Sequence, residues 1–279
     1  MQSRVALVTG CSSGIGRELA VQLSQAGWHV FAGARRPQTL MELSSERITP
    51  LELDVNKPSH LRHAVEVIEK KFGKLDLLVN NAGYGAMGPL VEMPLEEVRR
   101  QFETNVFAPL ALVQQLFPLL QASGNGQVVN IGSVSGILTT PFSGAYCATK
   151  SALHSLSDAL RMELAPFNVD VITIQPGAIE SEFGNNAAST LASTLPEDSL
   201  YNPVRSFIEK RATASQKNPT STVDFVRDVI KAINQKQPPA VQKIGNGSTT
   251  LTLLKRVLPD RVLDSVLSGS FGLKKLGKK

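Results

Sequence analysis

The chain has 279 residues, 42% of them hydrophobic, so it can bury a substantial core, and its length permits one large domain or two small ones. Two cysteines are too few for a disulfide framework and suit a reducing compartment, and no run of about 20 apolar residues predicts a membrane span. The net charge of +5 is confined to residues 255–279, where seven basic residues accompany two acidic ones, so it predicts a basic tail and argues against a nucleic-acid-binding surface.

The first apolar run begins directly after Arg4, so we expect no signal or transit peptide and a cytoplasmic protein. Short apolar runs then alternate with longer segments of helical period. Strands are predicted at Val5–Val8, Val30–Gly33, Leu51–Leu53, Leu75–Val79, Gln127–Ile131 and Val169–Ile174. Helices are predicted at Gly16–Ala26, Leu61–Phe72, Leu95–Leu120 and Ala145–Leu164. Buried strands that alternate with helices predict an α/β fold with a doubly wound parallel sheet and helices on both faces.

A glycine-rich turn, Thr9-Gly10-Cys11-Ser12-Ser13-Gly14-Ile15-Gly16, follows the first strand and opens the first helix. Glycines there let the backbone bend tightly and approach a pyrophosphate, while the helix N-terminus offers free N–H groups and the positive end of its dipole. An ordinary strand-to-helix turn is the alternative, but such a turn rarely needs three glycines. We therefore predict nucleotide contacts at Gly10, Ser12, Ser13, Gly14, Ile15 and Gly16.

Two basic residues, Arg35 and Arg36, end the second strand at the place where a dinucleotide fold that prefers NAD has an acidic residue. Their forked donors suit a 2′-phosphate, so we predict that they bind NADP(H), with a solvated basic loop as the alternative. Asp54 follows the third strand and is predicted to bind the adenine amino group. A helix N-cap near Asn56 is the other interpretation of Asp54.

The fourth strand ends in Asn80-Asn81-Ala82-Gly83. Small residues there let the sheet edge approach a ligand, and an asparagine can hold neighbouring strands together. We predict cofactor contacts at Asn80 and Asn81, although this segment by itself is typical of an ordinary turn.

Tyr146 and Lys150 are four residues apart, so on a helix they project from one face. A phenol with a pKa near 10 is a poor acid–base catalyst at neutral pH, but a nearby ammonium group favours the phenolate and lowers that pKa. Ser133 follows the fifth strand and is predicted to hydrogen-bond the substrate oxygen beside Tyr146. Taken alone, a Tyr–Lys pair with this spacing is usually a surface pair, and its place after the earlier motifs favours catalysis.

These motifs together resemble the short-chain dehydrogenase/reductase family, in its compact single-domain branch, over residues 4 to about 180. The resemblance is carried by T-G-x-x-x-G-x-G, N-N-A-G, a serine after the fifth strand, Y-x-x-x-K and a following Pro-Gly. It implies a Rossmann-like sheet of about seven strands and hydride transfer to or from a nicotinamide. Within the family, the Ala-Arg-Arg run and the C-terminal segment resemble members that reduce steroids, retinol or acyl ketones.

The resemblance also implies roles for individual residues. Tyr146 would be the acid/base, Lys150 would lower its pKa and bind the nicotinamide ribose, and Ser133 would orient the carbonyl. Asn105 would hold a water in a proton relay to Lys150, and an asparagine inside an apolar helix otherwise lowers helix propensity without gain. The nicotinamide would be bordered by Pro176, Gly177, Ile179 and Ser181, where Ser181 stands in the place of the family's usual threonine.

The segments around the expected nicotinamide are rich in apolar residues and poor in cations, which predicts a lipophilic substrate. We expect one domain over residues 1–279, a substrate cap within it at about 178–236, and an apolar and basic tail at 241–279 that packs on the cap or touches an anionic membrane. A homodimer or homotetramer is expected through the helices around 97–120 and 145–165. The predicted substrate walls contain Met87, Leu90, Met93, Leu138, Phe142, Phe183, Leu191 and Phe207.

The sequence thus predicts an NADP(H)-dependent oxidoreductase that interconverts a lipophilic ketone or aldehyde and its alcohol. A dinucleotide-binding sensor or scaffold without turnover is the alternative outside enzymology, and a sugar epimerase or dehydratase is the alternative within it. No metal site is predicted, because no carboxylate or cysteine cluster completes the pair His60 and His63. The substrate, the physiological direction and the oligomeric state stay open.

Overall fold

The computed structural model describes residues 3–277. Within this range seven strands form one sheet, and every neighbouring pair is parallel. The strands are β1 (Val5–Thr9), β2 (His29–Ala34), β3 (Ile48–Glu52), β4 (Leu77–Asn80), β5 (Gly126–Ile131), β6 (Val169–Pro176) and β7 (Val241–Ile244). Their order across the sheet is β3-β2-β1-β4-β5-β6-β7, which confirms the predicted doubly wound parallel sheet of about seven strands.

Helices cover both faces of this sheet, because its central strands are buried on both sides. One face packs against the helices at Gly14–Gln25 and Thr222–Ile233 through residues such as Leu19 and Phe225. The other face packs against the helices at Pro58–Phe72 and Ala108–Ala122 and the end of the helix at Gly144–Leu164, through residues such as Ile68, Leu116 and Leu164. The helices are α1 (Gly14–Gln25), α2 (Pro58–Phe72), α3 (Leu95–Phe102), α4 (Ala108–Ala122), α5 (Gly144–Leu164), α6 (Phe183–Ser189), α7 (Leu191–Thr194), α8 (Arg205–Ala212), α9 (Thr222–Ile233), α10 (Ser248–Val257) and α11 (Asp260–Ser270).

The two edge strands differ from the expectation. β3 begins at Ile48, earlier than the predicted Leu51, and contains Pro50, which an edge strand tolerates because one side of it needs no ladder hydrogen bonds. β7 was not predicted, because three of its four residues are exposed or half-buried and it therefore lacks an apolar run. Pairing with β6 places it in the sheet, and this pairing is set by the tertiary structure.

The helix predicted at Leu95–Leu120 is interrupted by a π-helical turn at Glu103–Phe107. Pro109 has no N–H to donate to the carbonyl of Asn105 four residues earlier, so the regular α-helical pattern cannot continue through this point. Such wide turns occur frequently at functional sites. Here the turn carries Asn105.

The segment expected to form the cap divides in two. Helices α6, α7 and α8 build a separate apolar cluster with Phe142 and Tyr146, whereas α9 packs against α1 as part of the helical layer on the sheet. The expected tail also divides, because Val241–Ile244 is a strand and α10 and α11 lie beyond it. Phe271 packs on the cap cluster, so the end of the described chain is docked. None of the helices within 3–277 is both long and apolar enough to cross a membrane.

Candidate active site

A cleft of about 1180 Å³ opens at the carboxyl ends of the strands, beside the point where the strand order reverses between β1 and β4. In open parallel sheets this is where ligands bind. Most of the predicted site residues line it, namely Gly10, Ser12, Ser13, Gly14, Ile15, Arg35, Asp54, Asn81, Ser133, Tyr146, Lys150, Pro176, Gly177, Ile179 and Ser181.

The glycine-rich turn brings backbone close to backbone. Gly10 has φ +73° and Gly14 has φ +54°, a left-handed conformation that glycine adopts readily. Gly16 does not line the cleft, but a Cβ there would collide with the carbonyl oxygen of Gly10 and with the side chain of Asn81. Ser13, the N-cap of α1, makes no side-chain hydrogen bond to the helix. The first turn of α1 therefore has no side-chain cap competing for its N–H groups at the cleft.

Asn81 holds the glycine-rich turn in place. Its Nδ2 donates to the carbonyl oxygens of Thr9 (2.9 Å) and Gly10 (3.2 Å), and its backbone N–H donates to Thr9 Oγ1 (3.0 Å). Thr9 Oγ1 also accepts from the N–H of Ala82 (2.9 Å). The loop after β4 thereby fixes the turn after β1.

Asn80 is not brought to the cleft. It is buried, and its Nδ2 donates to Asn130 Oδ1 across β4 and β5 (2.8 Å). Its position in the strand explains this, because its side chain is used to join two neighbouring strands.

The two arginines after β2 differ in their position relative to the cleft. Both are exposed, but Arg35 lines the cleft and Arg36 does not. Asp54 is half-buried in the cleft wall, and its Oδ1 accepts the backbone N–H of Asn56 (3.1 Å), so it forms a local turn and does not cap α2, whose N-cap is Lys57.

Tyr146 and Ser133 are both buried and reach the cleft from α5 and from the end of β5. Burial raises the pKa of the Tyr146 phenol to about 12, while Ser133 and the charge of Arg211 act in the opposite direction. Ser133 Oγ accepts the backbone N–H of Ser135 (3.1 Å), which leaves its own hydroxyl hydrogen available to a ligand.

Lys150 is buried one turn after Tyr146. Its Nζ donates to the carbonyl oxygen of Ile131 (2.7 Å) and lies 5.8 Å from the centroid of the Tyr146 ring. Burial lowers the pKa of Lys150 to about 8. The expected lowering of the Tyr146 pKa by this ammonium group is not seen, because burial of the phenol outweighs the charges around it.

Asn105 is buried in the π-helical turn and does not line the cleft. Its Oδ1 accepts the N–H of Tyr84 (3.1 Å), and its Nδ2 donates to the Tyr84 carbonyl (2.9 Å) and to Thr149 Oγ1 (3.1 Å). These bonds tie the loop after β4 to α5. A Cβ at Gly83 would lie 3.0 Å from Asn105 Oδ1 and 3.8 Å from Lys150 Nζ, so both side chains lie next to Gly83.

The comparisons with known proteins agree with this geometry. A family model described as short chain dehydrogenase matches residues 4–192, which is more than half of the chain. The chain belongs to the short-chain dehydrogenase/reductase family. This confirms the resemblance drawn from the motifs at family level.

Relatives match this dehydrogenase over nearly its whole length. A protein of Escherichia coli strain K12 named uncharacterized oxidoreductase YbbO is 37% identical over 270 residues, which cover 96% of this chain and 95% of the relative. An NADPH-dependent 3-dehydrocapnine reductase of Ornithobacterium rhinotracheale is 33% identical over 272 residues, which cover 94% of this chain and 95% of the relative. The crystal structure of a short-chain dehydrogenase from Streptomyces avermitilis has a TM-score of 0.79 and 29% identity, with 99% of this chain and 97% of that chain covered.

The cleft of the dehydrogenase fits a nicotinamide dinucleotide. The cradle around Gly10 and Gly14 has the positive φ angles and the close backbone approach that a pyrophosphate requires. The cradle, Arg35 and the Tyr146 hydroxyl line one continuous cleft, so a single extended ligand can contact all three.

His154 is a residue that the motifs missed. The backbone N–H of Ser133 points to its Nε2 (3.4 Å), and a Cβ at Gly132 or Gly136 would collide with its ring. Burial, with a contribution from the Lys150 charge, lowers the pKa of His154 to about 4. A neutral imidazole therefore supports the Ser133 loop, and the glycines on either side of Ser133 were the available signal.

Arg211 of the cap and three apolar residues near the C-terminus, Leu251, Leu267 and Phe271, also line the cleft. No motif indicated Arg211, whereas the other three lie in the tail that was expected to pack on the cap or to touch a membrane. The region after β7 is therefore a wall of the site of this dehydrogenase.

Proposed function

We propose that this protein is an NADP(H)-dependent oxidoreductase that interconverts a lipophilic ketone or aldehyde and its alcohol. The observation that carries the proposal is the placement of two buried hydroxyls, Ser133 and Tyr146, in one cleft with the buried amine of Lys150 behind them. A relative that covers most of the chain carries the words NADPH-dependent reductase in its name, which supports the same activity.

In the direction of reduction, Tyr146 donates its phenolic proton to the carbonyl oxygen. Ser133 donates a second hydrogen bond to that oxygen, since its Oγ is already held by the N–H of Ser135. When bound, NADPH supplies the hydride that the carbonyl carbon takes up. Lys150 would bind the nicotinamide ribose, keeps a positive charge near Tyr146 and returns a proton to the Tyr146 phenolate, and a water of the relay held by Asn105 then restores the proton of Lys150.

The remaining residues are proposed to bind the cofactor. The turn from Gly10 to Gly16 takes the pyrophosphate, Arg35 takes the 2′-phosphate and Asp54 contacts adenine. The walls after β6, formed by Pro176, Gly177, Ile179 and Ser181, border the nicotinamide. Arg36 lies off the cleft, so we assign the 2′-phosphate to Arg35.

The lipophilic character of the substrate rests on apolar side chains at the catalytic end of the cleft. Of the residues predicted to form the walls, Leu138 and Phe183 line the cleft, and Leu251, Leu267 and Phe271 add to them. Met87, Phe142, Leu191 and Phe207 belong to the apolar cluster of the cap, which supports the walls from behind. Apolar walls with few convergent polar groups favour an apolar ligand.

Three further properties are part of the proposal. The protein forms a homodimer or homotetramer through α4 and α5, where Phe107 beside α4 and Met162 on α5 are exposed. It acts in the cytoplasm, and α10 and α11 contact anionic membrane peripherally, since they expose Leu253, Val257 and neighbouring basic residues.

The proposal is tested by following NADPH oxidation with a panel of steroids, retinoids and acyl ketones, using the unmodified protein and Tyr146→Phe. We expect turnover with at least one lipophilic carbonyl compound and a loss of 10²-fold or more in Tyr146→Phe, because that variant cannot donate the proton. Cofactor binding, measured by NADPH fluorescence, is expected to stay unchanged in the variant. Cofactor binding without turnover of any carbonyl compound would favour the sensor or scaffold, and normal turnover by a folded Tyr146→Phe would refute the assignment of Tyr146.

A further inference from the structure

Arg211 is a cation at the catalytic end of the cleft, at the C-terminal end of α8. Its Nε donates to Thr140 Oγ1 (2.8 Å), and one Nη lies 3.4 Å from Ser135 Oγ. Thr140 Oγ1 is itself hydrogen-bonded to Ser143 Oγ (2.8 Å). Neutral hydroxyls therefore hold one edge of the guanidinium in a fixed position.

The charge of Arg211 is not matched by an acidic group. Within residues 3–277, no carboxylate oxygen lies within 4.0 Å of its guanidinium nitrogens, whereas Arg205, on the same helix, pairs with Glu209 (3.5 Å). Four acidic residues line the cleft, namely Asp54, Glu97, Glu103 and Glu182, and none of them forms an ion pair with Arg211 among the described residues. Burial lowers the pKa of Arg211, while the neighbouring Cys147 and Tyr146 act in the opposite direction.

The guanidinium also has unused donors. Arginine presents five N–H groups in a planar fork, and the bonds to Thr140 and Ser135 use two of them. Because Arg211 lines the cleft, the remaining donors are accessible to a ligand there, and a planar fork matches an oxyanion in a bidentate geometry.

Arg211 lies close to the reacting groups. Its charge is near enough to act on the pKa of Tyr146, and its partner Ser135 is two residues from Ser133. Arg211, Ser133 and Tyr146 all line the cleft, so one substrate can contact Arg211 while its carbonyl oxygen meets Tyr146. The apolar walls at Leu138, Phe183 and Phe271 leave the rest of the substrate in an apolar environment.

We propose that Arg211 is a specificity-determining residue that binds an oxyanionic group carried a few bonds from the carbonyl of an otherwise apolar substrate. The inference rests on the proposed carbonyl reduction and narrows its substrate class to acidic amphiphiles. The sequence predicted few cations around the nicotinamide, which argued against an acidic substrate. Arg211 corrects that expectation, because the residues predicted to form the walls ended at Phe207 and did not include it.

The test compares 4-oxododecanoate with its methyl ester, which differ in charge but share the ketone and the chain. The unmodified protein, with NADPH, is expected to favour the acid at least 10-fold in kcat/KM, as one charge-assisted bond allows. Arg211→Met is expected to bring the ratio of acid to ester to about 1. Arg211→Lys keeps the charge without the fork and is expected to give an intermediate ratio.

Arg205→Met is the matched control, since it removes an arginine of the same helix that pairs with Glu209 and does not line the cleft. It is expected to leave the ratio unchanged. A preference for the ester in the unmodified protein, or an unchanged ratio in Arg211→Met, would overturn the inference.

A binding measurement distinguishes the anion site at Arg211 from the proposed carbonyl reduction. Calorimetry on protein saturated with NADPH is expected to show tighter binding of dodecanoate than of dodecanol. This difference is expected to disappear in Arg211→Met. If neither ketone is reduced but dodecanoate binding depends on Arg211, the carbonyl reduction fails and the anion site stands. If the ester is reduced but no probe responds to Arg211, the anion site fails and the reduction stands.

Discussion

At the scale of single residues, cofactor preference is expected to depend on Arg35. Arg35→Asp replaces the cation in the cleft with an anion that repels a 2′-phosphate, and a charge-assisted hydrogen bond contributes about 1.5–3 kcal/mol. We expect the ratio of kcat/KM with NADPH to that with NADH to fall by at least 10- to 100-fold. Arg36→Asp is the matched control, because Arg36 is equally exposed but lies off the cleft. A native preference for NADH, or a ratio that Arg35→Asp leaves unmoved, would contradict the assignment.

The protonation states of Tyr146 and Lys150 predict a pH profile. The pKa of Tyr146 is raised to about 12, so the proton-donating form is present throughout the neutral range, whereas the pKa of Lys150 is lowered to about 8, so its ammonium group is lost above that pH. The kcat/KM for reduction is therefore expected to be flat from about pH 6 to 7, to reach about half of that value near pH 8 and to fall further above it. A stopped-flow profile measured at saturating NADPH checks this. A reduction rate that climbs between pH 6 and 8 would mean that the phenolate is the active form.

At the scale of elements, the contact between the glycine-rich turn and α1 is expected to exclude any side chain at Gly16. Gly16→Ala introduces a Cβ that collides with the Gly10 carbonyl and with Asn81, although alanine is the better helix former. We expect a loss of about 1–3 kcal/mol in the free energy of unfolding and a weaker affinity for NADPH. Denaturant melts and fluorescence titration measure the two effects.

Gly269→Ala is the control for Gly16→Ala, because both positions are helical but the nearest atom to a Cβ at Gly269 is Lys274 Nζ at 3.8 Å. Here the helix propensity of alanine is expected to raise stability by up to about 1 kcal/mol. Equal effects of the two substitutions would show that close packing at Gly16 is not the cause.

At the scale of the whole molecule, α10 and α11 have two different surfaces. Leu263 is buried and Leu251 and Leu267 line the cleft, while Leu253, Val257 and Val262 are exposed beside Lys255 and other basic residues. An exposed apolar face with basic neighbours suits an anionic membrane surface. A lipophilic substrate dissolved in that membrane would then be close to the cleft wall formed by the same helices.

Flotation with phosphatidylserine vesicles tests this contact. We expect the unmodified protein to float with anionic vesicles at low salt and to be released at high salt, and the double variant Leu253→Ser with Val257→Ser to stay unbound. Leu200→Ser with Val223→Ser is the control, since those residues are 80% and 55% exposed and lie away from α10. Equal flotation of all three proteins, or none by the unmodified protein, would remove the membrane contact.

The sequence by itself predicted six of the seven strands and most of the residues proposed to bind the cofactor. Central strands buried on both faces must be continuous apolar runs, so β1, β4 and β5 are visible without coordinates. The glycine-rich turn and the pair Tyr146 and Lys150 are local patterns, because the chemistry needs those residues at fixed separations along one turn or one helix.

The tertiary structure added residues of the substrate half that the sequence did not indicate, beyond Leu138 and Phe183. Arg211 and Phe271 reach the cleft from helices far along the chain, and β7 is a strand only through its pairing with β6. The direction of the Tyr146 pKa shift also depends on the fold, because burial is a property of all the surroundings and here outweighs the neighbouring charges. A short sequence pattern specifies backbone conformation and neighbours within a few residues, whereas a pocket wall is assembled by packing between distant elements, and no local pattern encodes that.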